Sequence, residues 1–109
     1  MKPFKTVSAS GALILTIVGE HDISTIAKLE ADVGAAVDGQ PRVVFDLSDV
    51  AYIDSMFIAM LVRLHRDIGD RLQLVVPSKS RIRRLFTITG LNEVMPIHES
   101  VLEADSSRS

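Results

Sequence analysis

The sequence predicts an α/β fold: a mixed, mostly parallel sheet of about five strands with about four helices, in the order β-β-α-β-α-β-α-β-α. Three observations predict it. Short, apolar, β-branched runs at residues 12–18 (ALILTIV), 43–47 (VVFDL) and 72–76 (LQLVV) read as strands buried on both faces. Between them, apolar residues recur at helical spacing. Gly and Pro stand at the ends of these stretches, where they interrupt either pattern.

Taken in order, residues 4–8 alternate weakly and suit an edge strand, and Ser8 to Gly11 signal a turn. The run 12–18 follows as a buried strand that Gly19 ends. Ser24 or Thr25 caps a helix whose inward residues are Ile26, Leu29, Val33 and Val37, and Gly39 and Pro41 terminate it. After the strand at 43–47, a turn at Ser48 and Asp49 leads to Tyr52, Ile53 and Asp54. A second helix spans about residues 55–68, with Phe57, Leu61, Leu64 and Ile68 as its core stripe and Gly69 and Asp70 as its stop. Pro77 closes the strand at 72–76. Ser78 or Ser80 opens a third helix that turns Ile82, Leu85 and Phe86 inward and ends on Gly90. Residues 94–97 form a last short strand, and 98–104 a final helical turn or two. The chain is expected to hold one domain over residues 1–104, followed by a flexible tail at 105–109.

Composition narrows the function classes. Apolar residues make up 47% of the chain and aromatics only 5%, so the core must be mainly aliphatic. Twelve basic against 14 acidic residues give a net charge of −2, which argues against general nucleic-acid binding. The absence of Cys excludes disulfides and thiolate metal sites. No apolar run approaches the ~18–20 residues that a membrane span needs. The N-terminus lacks the apolar stretch of a signal peptide, so a cytoplasmic location without membrane insertion is expected.

The segment Asp46 to Ser55 (DLSDVAYIDS) resembles the signature of STAS domains, the family that includes the bacterial anti-sigma factor antagonists. There, an apolar strand ends in Asp-Leu-Ser and a short turn leads to an aromatic-apolar-Asp-Ser element that opens a helix. Gly19, Glu20, His21, Asp22 and Ile23 resemble the family's Gly-Glu-x-Asp segment before the first helix. Gly90, Leu91 and Val94 match its late Gly-Leu-x-x-Val pattern. The three matches occur in order and extend over nearly the whole chain.

A hydroxyl at the start of a helix sits beside free backbone N–H groups and the positive end of the helix dipole, a setting that suits a phosphate. Asp54 is adjacent, and Asp22 belongs to a strand-to-helix loop at the same edge of the sheet. A phosphate of about −2 charge would repel those carboxylates and disfavour a docked partner. Such a charge switch needs no catalytic residue in this chain. Phosphorylated members of the family usually read Asp-Ser-Ser-Gly or Asp-Ser-Thr-Gly, with the second hydroxyl as the usual acceptor. Here Met56 and Phe57 stand at the last two positions, and only Ser55 keeps a hydroxyl. Either Ser55 is the phosphorylation site, or this copy is not switched by phosphate. On the second helix, Met56, Ala59, Arg63 and Arg66 fall opposite the core stripe at ~100° per residue, and an exposed Met at the head of a helix suits docking.

Other clusters read more plainly. His21, His65 and His98 lack metal-ligand spacing. Asp46 and Asp49 are explained by a turn at a strand end, without paired-carboxylate catalysis. Lys79, Arg81, Arg83 and Arg84 form a basic cluster whose chemistry would suit an acidic partner or RNA, but the net charge of −2 favours a solvated helix face. The expectation is therefore a protein-interaction module that is not an enzyme and uses no cofactor or metal. Its partner-binding residues are Asp22, Asp54, Ser55, Met56, Ala59 and Arg63, and it is a monomer or weak dimer. The resemblance implies an anti-sigma factor serine kinase as partner, a PP2C-type phosphatase to reverse any phosphorylation, and a role in promoting sigma-dependent transcription. The alternative it leaves open is an accessory STAS subunit of a membrane transport ATPase, without a phospho-switch.

Overall fold

The structure, a computed structural model, describes residues 4–20 and 25–106. The chain starts as an antiparallel hairpin of β1 (Phe4–Val7) and β2 (Leu13–Glu20). Gly11 sits at φ 92° in its turn, a region in which a side chain would be strained. Then follow α1 (Ile26–Val37), β3 (Val43–Tyr52), α2 (Ser55–Ile68), a 3₁₀ turn (Gly69–Arg71), β4 (Leu72–Val75), α3 (Arg81–Thr89), α4 (Leu91–Val94), β5 (Ile97–His98) and α5 (Val101–Ser106). The sheet order is β1-β2-β3-β4-β5, with β2 to β5 mutually parallel. The expected mixed, mostly parallel five-stranded sheet is what forms.

Strand alternation divides the apolar residues between the two faces. Leu13, Leu15 and Ile17 of β2, Phe45 and Leu47 of β3, and Leu72 and Leu74 of β4 face one way. They pack against Leu29 and Val33 of α1, Phe57 and Leu61 of α2, Ile82 and Phe86 of α3, and Leu91 of α4. The opposite face carries a smaller cluster, Ala12, Ile14, Val44 and Val75, packed with Ala104 and Val101 of α5. Both faces of the central strands are thus covered, which is why their sequences read as continuous apolar runs.

Several boundaries differ from the sequence expectation, four of them with consequences for the fold. No turn interrupts the chain at Ser48 and Asp49. Strand β3 continues to Tyr52, and its pairing with β2 slips between Thr16↔Asp46 and Val18↔Asp49, so three residues of β3 span two of β2. The Asp46 carboxylate accepts from the Ser48 N–H at 3.0 Å and the Ser48 hydroxyl at 2.6 Å, so the local turn chemistry serves a bulge instead. The extra residue also resets the alternation and brings Val50 onto the core side after Leu47. Gly19 does not end β2, because it pairs with Val50 and Glu20 with Tyr52.

The segment expected as a strand at 94–97 is divided. Val94 closes the one-turn helix α4, making five helices where about four were expected, and β5 is shifted to Ile97–His98. Gly90 causes this: at φ 77° it caps α3, and its carbonyl then accepts from the Glu93 N–H at 3.0 Å to start α4. Finally, α5 runs through Ser106, so residues 105 and 106 belong to a helix rather than to the tail expected at 105–109. The Asp105 carboxylate accepts from the hydroxyls of Ser8 (2.6 Å) and Ser10 and lies 3.7 Å from the Arg42 guanidinium.

Candidate functional site

Strands β2, β3 and β4 all point their C-terminal ends to one edge of the sheet, and the helix that follows each begins there. In open α/β sheets this edge is where binding sites collect. Val50, Ile53 and Phe57 anchor the chain in the core on either side of Asp54 and Ser55.

Asp54 is the N-cap of α2. Its extended backbone (φ −115°, ψ −176°) directs the carboxylate back onto the first turn. One carboxylate oxygen accepts from the Met56 N–H at 3.1 Å and the Phe57 N–H at 3.0 Å. This corrects a sequence expectation: amides read as free to receive a phosphate are already held by Asp54. Ser55, the first residue of the helix, is exposed. Met56 beside it is 39% exposed, and Ala59 is half-buried.

Arg63 lies one helical turn beyond Ala59, and it is not free. Its guanidinium forks onto Glu30 of α1, with Nε to Oε2 at 2.8 Å and Nη2 to Oε1 at 2.6 Å. The hydrogen bonds from Arg63 hold the Glu30 carboxyl below its ordinary value, and the same pair raises Arg63. Arg63 therefore ties α1 to α2 at the border of the exposed face. The remaining proposed contact, Asp22, lies outside the described residues, as do His21 and Ser24. Met60, absent from the expected core stripe, is buried alongside Phe57, Leu61 and Leu64, while Ile68 is half-buried.

Beside the Asp54–Ser55 element lies an open groove of about 810 Å³. The end of β3 forms one wall with Tyr52 and Ile53, and α3 forms the other with Arg81, Arg84, Leu85 and Ile88. Tyr52 and Ile88 are 55% and 70% exposed. A smaller depression of about 360 Å³, reached by Ser48, Pro77, Ser80 and Arg81, lies on the same edge. Sequence reasoning missed the groove because it forms only when α3 packs beside the end of β3. The available signal was Ile88, an apolar residue off the Ile82–Leu85–Phe86 stripe.

The basic cluster on α3 separates into two kinds of residue. Arg83 is structural: it donates to the Val76 carbonyl and lies 3.3 Å from Glu99, whose carboxylate also accepts from the Ser78 N–H and hydroxyl at 3.1 Å. Arg81 and Arg84 form no ion pair among the described residues. Of the histidines, His65 sits 3.3 Å from Asp70 and His98 sits 3.3 Å from Glu103. Among the described residues, no three His, Asp or Glu side chains converge as metal ligands, and no helix is long and apolar enough to cross a membrane.

This arrangement offers hydrogen bonds, charge and exposed apolar surface, the materials of a docking face. Comparison with known proteins places nearly the whole chain in a family. The family model described as the STAS domain matches residues 4–104. An anti-sigma-B factor antagonist from Staphylococcus epidermidis is 30% identical over 100 residues, covering 87% of this chain and 91% of that protein. The anti-sigma-F factor antagonist RsfB of Mycobacterium tuberculosis is 29% identical over 97 residues, covering 87% and 80%. The crystal structure of an anti-sigma factor antagonist from Mycobacterium paratuberculosis superposes with a TM-score of 0.85 at 25% identity, covering 96% and 91%. These relatives are regulatory proteins and not enzymes.

Proposed function

The chain belongs to the STAS domain family, and from that premise we propose that it is a cytoplasmic anti-sigma factor antagonist switched at Ser55. The unmodified protein binds an anti-sigma factor of the serine-kinase type through the Asp54–Ser55 turn, Met56 and the exposed face of α2. Binding frees the sigma factor for transcription. Phosphorylation of Ser55 by that kinase dissolves the complex, and a PP2C-type phosphatase restores it.

One observation carries this reading: Ser55 is exposed at the first position of α2, directly beside a capping carboxylate that already holds the Met56 and Phe57 amides. A phosphate of about −1.5 to −2 charge there must either displace Asp54 from its amides or remain next to it unpaired. Each outcome alters the head of α2, where Met56 lies. Met56 in place of a second hydroxyl leaves Ser55 as the acceptor within the motif. Asp22, the other carboxylate expected to meet the partner, lies outside the described residues. The transport-subunit reading has no counterpart among the relatives named above.

The test is to incubate the protein with the anti-sigma factor kinase of its organism and ATP, and to locate the added mass by peptide mapping. Label at Ser55 that disappears in Ser55→Ala supports the switch. A stable complex without label makes the protein a constitutive antagonist. Label at Ser48 or Thr25 moves the acceptor away from the head of α2 and defeats the account of Ser55.

A further inference from the structure

We infer that the groove between the end of β3 and α3 takes an acidic segment of the protein partner, one that inserts an apolar side chain and sets carboxylates against Arg81 and Arg84. The inference rests on the docking reading above and adds a second, chemically distinct half to the same face. Ile53, in the groove wall, is the immediate neighbour of Asp54, so the two halves are continuous.

Charge is the first argument. The chain is net acidic at −2, yet among the described residues the groove lining contains two arginines and no carboxylate. Three other arginines are already paired with carboxylates: Arg42 with Asp105, Arg63 with Glu30 and Arg83 with Glu99. Arg81 and Arg84 are exposed and have no such pair among the described residues. Arg83 between them points back onto the Val76 carbonyl, which leaves its two neighbours on the groove side of the helix. Cations at the rim of a patch steer an acidic partner and fix its orientation.

Apolar surface is the second argument. Ile82 is buried and Leu85 half-buried at the floor, while Tyr52 and Ile88 stand 55% and 70% exposed at the rims. Neither exposed side chain is needed by the core cluster. An aromatic and an aliphatic side chain facing each other across an open groove provide a place for an inserted apolar anchor. A nucleic acid fits less well. Tyr52 is the only tyrosine, no tryptophan is present, and two cations do not offset the overall acidic charge for a polyanion.

The probes are two peptides, acetyl-Glu-Glu-Leu-Phe-Glu-Glu-amide and its counterpart with every Glu replaced by Lys, titrated into the full chain by amide and methyl NMR. The acidic peptide is expected to shift Tyr52, Leu85 and Ile88. The Lys peptide is expected to leave them unmoved, and so is the acidic peptide with Arg81→Glu/Arg84→Glu. Equal response to both peptides, no response to either, or an undiminished response in the double variant overturns the inference. Arg81→Gln/Arg84→Gln serves as the milder variant, and a thermal melt checks its folding. A short RNA that shifts the same residues more strongly than the acidic peptide overturns it as well.

A second arm measures the anti-sigma factor itself. Wild-type binding with a tenfold or greater loss in Arg81→Glu/Arg84→Glu, mostly in the association rate, is expected. Wild-type binding with less than a twofold loss overturns the groove inference and leaves the proposed function standing. No wild-type binding defeats the proposed function, and the peptide titration then decides the groove alone.

Discussion

Replacing Asp54 by Ala removes the side chain that accepts from the Met56 and Phe57 amides at 3.1 and 3.0 Å. The backbone bond from the Ile58 N–H to the Asp54 carbonyl at 3.1 Å remains, so α2 keeps its first turn but loses its cap. Loss of an Asp cap to Ala costs about 1 kcal/mol, within ~0.5–2. That corresponds to a fall in Tm of roughly 4–8 °C for a domain near 100 residues. Part of the effect comes from the charge facing the helix dipole, ~0.3–1 kcal/mol at low salt. Asn retains the acceptor and lacks the charge. Asp54→Asn should therefore lose only the salt-sensitive part and approach wild type in 1 M NaCl, whereas Asp54→Ala stays destabilised. Urea unfolding of the three proteins at low and high salt, with the slope m unchanged, measures both terms. Wild-type stability in Asp54→Ala, or an Asn variant as unstable as Ala at high salt, would refute the capping account.

Further outcomes follow from the packing and the charges. Phe57 is fully buried in the core, so Phe57→Ala should cost about 3–5 kcal/mol and Phe57→Leu clearly less, read by the same unfolding curves. Gly90 sits at φ 77° between two helices, so Gly90→Ala should lower stability by about 1 kcal/mol, although the added Cβ would meet nothing closer than Glu93 at 4.0 Å. Glu30, Glu99 and Asp105 are held below their ordinary values, Glu30 by Arg63, Glu99 by Ser78 and then Arg83, Asp105 by Ser10 and Ser8 and then Arg42. A depressed carboxyl binds fewer protons folded than unfolded, so its stabilisation is present above the unfolded value and is lost as pH falls through the folded one. Those unfolded values lie near 4.5 for Glu and 3.8 for Asp, so these three groups should leave stability flat between pH 7 and 5 and erode it below about pH 4.5; Asp105→Asn should flatten part of that acid limb. Removing residues 101–109 uncovers Ala12, Ile14, Val44 and Val75, which should raise binding of an apolar dye and lower the denaturation midpoint.

Much of the fold was legible because its strong signals are local. The three apolar runs became β2, β3 and β4, and α2 begins at Ser55 and ends at Ile68 as its stripe and Gly69 indicate. Where the sequence misled, tertiary pairing had overridden local chemistry. Ser48 and Asp49 carry a turn signal, but β2 stays paired past them and absorbs the extra residue as a bulge. Val94 looked like strand because its neighbours are apolar, yet Gly90 had already set the next residues into a helical turn. The site was legible to the extent that it is contiguous in sequence: Asp54, Ser55 and Met56 follow one another. The Glu30 partner of Arg63 and the groove facing Tyr52 depend on residues roughly thirty positions apart, and periodicity carries no record of such meetings.

Ser55 is expected to control the complex with the anti-sigma factor. Titrating the unmodified chain into a preformed complex of the anti-sigma factor and its sigma factor, with sigma release followed by fluorescence anisotropy, tests it directly. Release by the unmodified protein is expected, together with at least a tenfold weaker effect, about 1.4 kcal/mol, when Ser55 carries a phosphate. No release by the unmodified protein, or equal release by both forms, would contradict it.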